Sequence, residues 1–219
     1  MKTILSLVLV FIFTVLFFNG CKNSTSPSNT SIQDVFPLKI GDKWVYHIQN
    51  FLSNGATFVD TTTEIFILRQ ADYQGNSAFV YSLDDTNSID NKNIVYYDAT
   101  SNVIMLKDGY ATTMLHYPMK ENESLTLHDT TYSNGTIKRE ILVLRESNEP
   151  VSTPAGNFIC LHYDDLSIRE TSNISDTGYK AMLYFSIGTG LVQERDYTEK
   201  KKGEYYMNLF QQLVSSQLK

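Results

Sequence analysis

From about residue 34 onward, apolar and polar positions alternate in short runs rich in Val, Ile, Thr, Tyr and Phe. A period of two is the pattern of half-buried β-strands. Trp44, Tyr46 and Ile48 point one way, and Val45, His47 and Gln49 the other. Further strands are predicted at 57–68, 78–83, 94–98, 103–106, 125–132, 137–144, 158–168, 181–186, 191–197 and 205–214. The last is ambiguous, because Tyr206, Leu209, Phe210 and Leu213 also fit a helical period; the loop-like 200–203 before it favours a strand. Between the runs stand turn signals: Asn54-Gly55, Gln74-Gly75-Asn76, Asp108-Gly109, Asn134-Gly135, Pro154-Ala155-Gly156 and Lys202-Gly203. Asn-Gly and Asp-Gly predict type I′ hairpin turns, in which both central residues need positive φ.

No segment after the N-terminal region carries a strong amphipathic helix pattern longer than about ten residues. The expectation is one all-β domain over residues 34–215, a single antiparallel sheet of about ten strands. Such a sheet must curl or close to hide its edges. A strongly curved sheet, a half-barrel or a barrel is expected, with a β-sandwich as the alternative.

The first 20 residues are different. Lys2 is a short positive region, Ile4 to Phe18 an apolar stretch of 15 residues, and Asn19-Gly20 ends it. A bilayer span needs about 20 apolar residues, so residues 1–20 read as a secretory signal peptide. Phe18-Asn19-Gly20-Cys21 resembles the lipobox of bacterial lipoproteins, in which a small residue precedes an acylated Cys. Gly20 and Cys21 match; Phe18 and Asn19 depart from the commoner residues at those places. The resemblance implies two or three acyl chains on Cys21 and hence a durable membrane anchor. Residues 21–33, with Lys22-Asn23-Ser24-Thr25-Ser26-Pro27, are polar and low in complexity. They read as a flexible tether, ten residues of which reach about 15–20 Å. Lys22 rather than Asp after Cys21 implies, by enterobacterial sorting, the outer membrane, with the domain facing the periplasm.

Three motifs carry a wider resemblance. Pro37-Leu38, Gly41, Trp44 and Tyr46 form a Pro-Leu-x-x-Gly-x-x-Trp-x-Tyr opening. Thr153-Pro154-Ala155-Gly156-Asn157-Phe158 forms a turn and strand start. Gly188-Thr189-Gly190-Leu191-Val192 follows. In this order they resemble a group of bacterial envelope lipoproteins of unassigned function. The resemblance implies a β-rich envelope lipoprotein and no activity. Each motif also has a structural reading: a type I turn at Pro154, a turn end at Gly41, and a bulge or close backbone approach at Gly188 and Gly190. Gly-Thr-Gly is no dinucleotide loop, since Gln193 stands where the third Gly should be.

Composition narrows the function. Charged residues at 19% and hydrophobic ones at 42% exclude wholesale disorder and a polytopic membrane protein. A net charge of -6, about -7 once Lys2 leaves with the signal, excludes a nucleic-acid partner found by simple electrostatics. With Cys21 acylated, Cys160 is the only thiol; in Phe158-Ile159-Cys160-Leu161 it reads as a small core side chain. His47, His116, His128 and His162 are scattered and read as structural or surface residues. Asp84-Asp85 and Asp164-Asp165 would point to opposite faces of a strand. The oxygen-rich stretch 84–91 reads as a solvated loop rather than a Ca²⁺ loop, lacking the Gly and final Glu of an EF-hand. The 14 Tyr suit half-exposed sheet faces or a groove for an apolar or carbohydrate ligand. No cofactor or metal is expected. The expectation is a non-enzymatic, lipid-anchored binding or structural module, with the membrane as one partner and an apolar ligand or envelope protein as another. An envelope hydrolase assembled from several strands, using His116 or Asp164, is the alternative.

Overall fold

The computed structural model describes residues 30–83, 93–107, 110–171, 174–201 and 203–219. Chain contacts divide the protein into Met1–Thr30 and Ser31–Lys219; the second unit is the domain. It begins with a four-residue helix, α1 (Ile32–Val35). Twelve strands follow: β1 (Lys43–Phe51), β2 (Thr57–Tyr73), β3 (Asn76–Leu83), β4 (Ile94–Tyr97), β5 (Asn102–Lys107), β6 (Tyr110–His116), β7 (Ser124–Thr131), β8 (Ile137–Thr153), β9 (Gly156–Thr171), β10 (Ile174–Ser186), β11 (Gly190–Lys201) and β12 (Glu204–Gln217).

All lie in one antiparallel sheet, ordered β6-β5-β4-β3-β2-β1-β12-β11-β10-β9-β8-β7, which curls until it is nearly a closed barrel. The expected all-β curved sheet is therefore what the chain forms. Its first and last strands pair at the centre, Tyr46 opposite Leu213. The free edges are β6 and β7. Residues 117–123 bridge them: Tyr117 N–H donates to Ser101 O at 3.2 Å, Asn122 N–H to Leu144 O at 2.6 Å, and Leu144 N–H to Glu123 O at 3.2 Å. From β9, the Tyr163 hydroxyl donates to His116 O at 2.9 Å and braces the same seam.

Strand β6 was not among the expected strands. Its first residues, Tyr110, Ala111 and Thr112, are exposed and Leu115 is buried, so it carries too little alternation to announce itself. Strands β8 and β9 also run past their apolar stretches, to Thr153 and Thr171. Type I′ geometry is likewise displaced. Gln74 and Gly75 both have positive φ (53° and 81°), joining Tyr73 to Asn76 in a two-residue turn. At the Asn-Gly turns only Gly55 and Gly135 are positive. Leu52 N–H donates to Ala56 O and Tyr132 N–H to Thr136 O, the longer loop with a left-handed Gly.

Antiparallel order sends the start of β1, the end of β12 and the turns at 74–75, 98–101, 154–155 and 187–189 to one end of the barrel. The turns at 52–56 and 132–136 lie at the other. The main core fills the first end: Trp44, Tyr46, Ile67, Tyr81, Leu142, Leu144, Tyr163, Phe185, Leu191 and Leu213 line it. The chain's own opening segment closes it. A helix of four residues does not stand alone. Here Ser31 and Asp34 cap it reciprocally, and Ile32, Val35, Phe36 and Leu38 are buried in the barrel's core. The sequence reading assigned Ile32 and Gln33 to the tether; in the structure they belong to this stopper.

Candidate functional site

Two of the three motifs meet at the closed end. Phe36 lies against Trp44 with ring centroids 6.0 Å apart and edge-on to Phe185 at 6.1 Å. The Trp44 indole Nε1–H donates to Thr189 O at 2.7 Å, and the Tyr46 hydroxyl to Leu191 O at 2.9 Å. Gly188 N–H donates to Asp34 O at 2.6 Å. A Cβ on Gly190 would stand 3.1 Å from the Phe36 ring, and its φ is +88°. The opening motif is thus the stopper and its first strand, and the Gly-x-Gly-Leu-Val motif is the rim that receives it. Gly41 (φ +88°) turns the chain so that its N–H reaches Ile67 O and Ile67 N–H reaches Asp42 O. The buried Asp42 carboxylate accepts from Lys39 N–H at 2.8 Å and Lys219 N–H at 2.9 Å, tying the two ends of the domain together. The third motif makes the β8–β9 turn, where Ala155 N–H donates to Leu213 O. Neither Pro154 nor Ala155 has positive φ, as a type I turn requires.

Beside the stopper, a wholly apolar void lined by Phe36, Trp44, Tyr81, Val95 and Met105 holds about 30 Å³, well below the about 300 Å³ at which ligand sites begin.

Beyond Leu183 and Ala181 the inner face turns polar. Cross-strand partners share a face: Glu194 stands opposite Leu183, and Asp196 and Asp165 each opposite Ala181. Lys180 Nζ reaches Asp165 Oδ2 at 3.4 Å and Glu140 Oε2 at 3.3 Å. Burial, then the neighbouring Asp196, pushes the Glu194 carboxyl up to about 8. Burial also raises Asp196 and Asp165. Among the described residues, no group of His, Cys, Asp and Glu is arranged to hold a metal ion.

Asp164 faces the opposite way from Asp165, as the alternation predicts. Its Oδ2 accepts from Arg145 Nε at 2.6 Å, and its Oδ1 lies 3.3 Å from His162 Nε2. His162 Nδ1 pairs with Glu149 Oε2 at 2.6 Å, and its ring stacks on Tyr184 at 4.6 Å. Burial opposes a charge on His162, but hydrogen bonding to Asp164 and the field of Glu149 outweigh it and raise its pKa. Cys160, on the same face, is buried with Val151, Tyr184 and Val192; burial pushes its thiol up to about 12. This Arg145–Asp164–His162–Glu149 row was not visible in the sequence, because its members come from two strands in a bulged register. The remaining His residues have separate partners: His47 with Asp60, His116 with Asn102 and His128 with Thr130. The structure does not join His116 to Asp164 by any of these bonds. Cys21 and the stretch 84–91 lie outside the described residues.

The proton balance has a sign. Folding holds protons on Glu194, Asp196, Asp165 and His162 that the unfolded chain gives up. Their contribution is complete below the ordinary carboxylate range and is lost as pH rises through the folded values. Between pH 5 and 8 the stability is expected to fall, Glu194 alone contributing at most about 1.4 kcal/mol per pH unit. Urea titrations across that range should show a flatter slope for Glu194→Gln; an unchanged slope would place the titration elsewhere.

At the end of the barrel opposite the stopper, a groove of about 540 Å³ runs between the β1–β2 hairpin and the paired β11 and β12. Asn50, Phe51, Phe58, Thr198, Tyr206 and Asn208 line it, with Leu52, Ser53 and Asn54 of the turn. Phe58 is 59% exposed and Leu52 48%.

No protein-family profile matches the sequence, and no curated protein does. Among solved structures, the chain is similar to a Bacteroides fragilis protein described as exported and of YmcC-like fold. That match has 16% identity, covers 84% of this chain and 99% of the other, and has a TM-score of 0.44. It is also similar to a Parabacteroides distasonis protein described as a lipoprotein, at 13% identity, 84% and 98% coverage, and a TM-score of 0.43.

Proposed function

We propose that this chain is a lipid-anchored module of the bacterial cell envelope that binds a partner and performs no catalysis. Cys21 carries the acyl chains, and the domain faces the periplasm from the outer membrane. The observation that carries the reading is the stopper. The chain leaves the signal and Cys21 and within about ten residues enters the barrel's closed end. Pull on the anchor is therefore borne by the core itself, and the opposite end of the barrel, with its groove, lies away from the point of entry.

The chemistry of the candidate nucleophile and bases supports binding over turnover. The Cys160 thiol is buried and far from ionising at neutral pH. His162 lies between two carboxylates, its Nδ1 2.6 Å from Glu149 Oε2 and its Nε2 3.3 Å from Asp164 Oδ1, and it is half-buried in that row rather than presented in a cleft. His116 is held by Asn102 at its Nδ1, and its carbonyl braces the β6–β7 seam.

Metabolic labelling with an alkynyl palmitate in a bacterial host tests the anchor. The full chain is expected to take the label and to sediment with membranes. Cys21→Ser should lose the label and most of the membrane-bound fraction. Membrane association of Cys21→Ser equal to that of the wild type would mean that an uncleaved N-terminal segment holds the protein instead.

A further inference from the structure

The groove at the end opposite the stopper has a distinctive chemistry. Its size falls in the range of ligand sites, about 300–1,000 Å³. Among the described residues, no charged side chain lines it. Aromatic rings come from Phe51, Phe58 and Tyr206, and amides and hydroxyls from Asn50, Asn54, Ser53, Thr198 and Asn208. Asn208 Oδ1 is buried there and has no hydrogen-bond partner among the described residues. Asn208 is also the extra residue of a bulge in β12, between Leu209 opposite Asp196 and Met207 opposite Tyr197.

Each ligand class makes a demand on such walls. A phosphate or other anion needs cations, and none is among the described lining residues. A lipid tail would leave the amides unpaired. An extended peptide adds to a free strand edge, and the free edges here are β6 and β7. A neutral sugar fits both halves of the lining: one face of a pyranose ring is C–H and packs on aromatic rings, and its rim of hydroxyls both donates and accepts.

We propose that this groove is a binding site for a neutral glycan chain. The proposal deepens the binding reading above by naming its partner class, and its test is independent of the anchor. The full lipidated chain, held in dodecylphosphocholine so that no detergent sugar competes, is titrated with cellohexaose, maltohexaose and N-acetylglucosamine hexamer. Saturation-transfer NMR and calorimetry report binding. At least one hexamer is expected to bind with a Kd below about 1 mM. Phe58→Ala and Thr198→Arg, both at exposed positions, should keep the wild-type melting temperature and weaken binding about tenfold or more. The affinity should change less than about twofold between 0.05 and 0.5 M NaCl, because no charge is among the described residues lining the groove. The proposal is overturned if no hexamer binds at about 5 mM, if both variants bind like the wild type, or if binding collapses in salt. Palmitate labelling of Cys21 alongside separates the two readings: a labelled protein without sugar binding refutes the groove and leaves the anchor standing.

Discussion

Trp44→Ala is expected to destabilise the domain by about 3–5 kcal/mol, the range for removing a large aromatic side chain from a packed core. Trp44 is 2% exposed and touches both the stopper and its socket. Its ring supports Phe36, and its indole N–H satisfies Thr189 O. Truncation opens a cavity under the stopper and orphans a carbonyl on the receiving rim. Trp44→Phe restores a ring without the donor, so it should recover most of the loss and leave about 1 kcal/mol for the hydrogen bond. Urea unfolding followed by far-ultraviolet circular dichroism measures both variants; fluorescence will not serve, because Trp44 is the sole tryptophan. A Trp44→Ala loss under about 1 kcal/mol would mean that the stopper does not lean on this ring.

Asp42→Ala should cost about 2–5 kcal/mol, by a different mechanism. The carboxylate is fully buried and serves two backbone donors, Lys39 three positions before it and Lys219 177 positions after it. Hydrogen bonds to a charged acceptor contribute about 1.5–3 kcal/mol each, and donors left buried without a partner add their desolvation cost. Asp42→Asn keeps one acceptor oxygen and should lose about half as much. Thermal melts of the two variants separate a buried clamp from a dispensable side chain; equal melting temperatures for wild type, Asn and Ala would remove the clamp from the account.

The strand pattern made most of the sheet legible, because runs rich in Val, Ile, Thr, Tyr and Phe stand between turn signals, and in β1 the inner-face Trp44, Tyr46 and Ile48 recur at every second position. Legibility failed where burial was sparse. Strand β6 offers one buried side chain, and the outer half of β8, from Glu146 to Pro150, has no apolar period. The stopper failed for another reason: four residues are too few to show a helical period, and only the Ser31…Asp34 capping pair marked it. Turn type depended on register rather than on the dipeptide, so Asn54-Gly55 took the longer loop and Gln74-Gly75 the tight one. The motifs could be found in the sequence, but not their meeting: Gly190 needs its small size because of Phe36, more than 150 positions earlier. The polar clusters were the least legible. Asp165, Glu194 and Asp196 come together through β9, β10 and β11, and no spacing along the chain encodes that.

Hydrogen exchange of the full chain, read by mass spectrometry, tests the central claim most directly, that residues 31–44 are the built-in stopper of the barrel. The amides of Phe36, Gly41, Asp42 and Gly188 are hydrogen-bonded within or onto the stopper. Peptides covering 32–46 and 184–192 should therefore exchange together, and as slowly as the central pair β1 and β12. Exchange of 32–42 within seconds, while β1 and β12 stay protected, would contradict it and make the opening segment a loose lead-in to an open barrel.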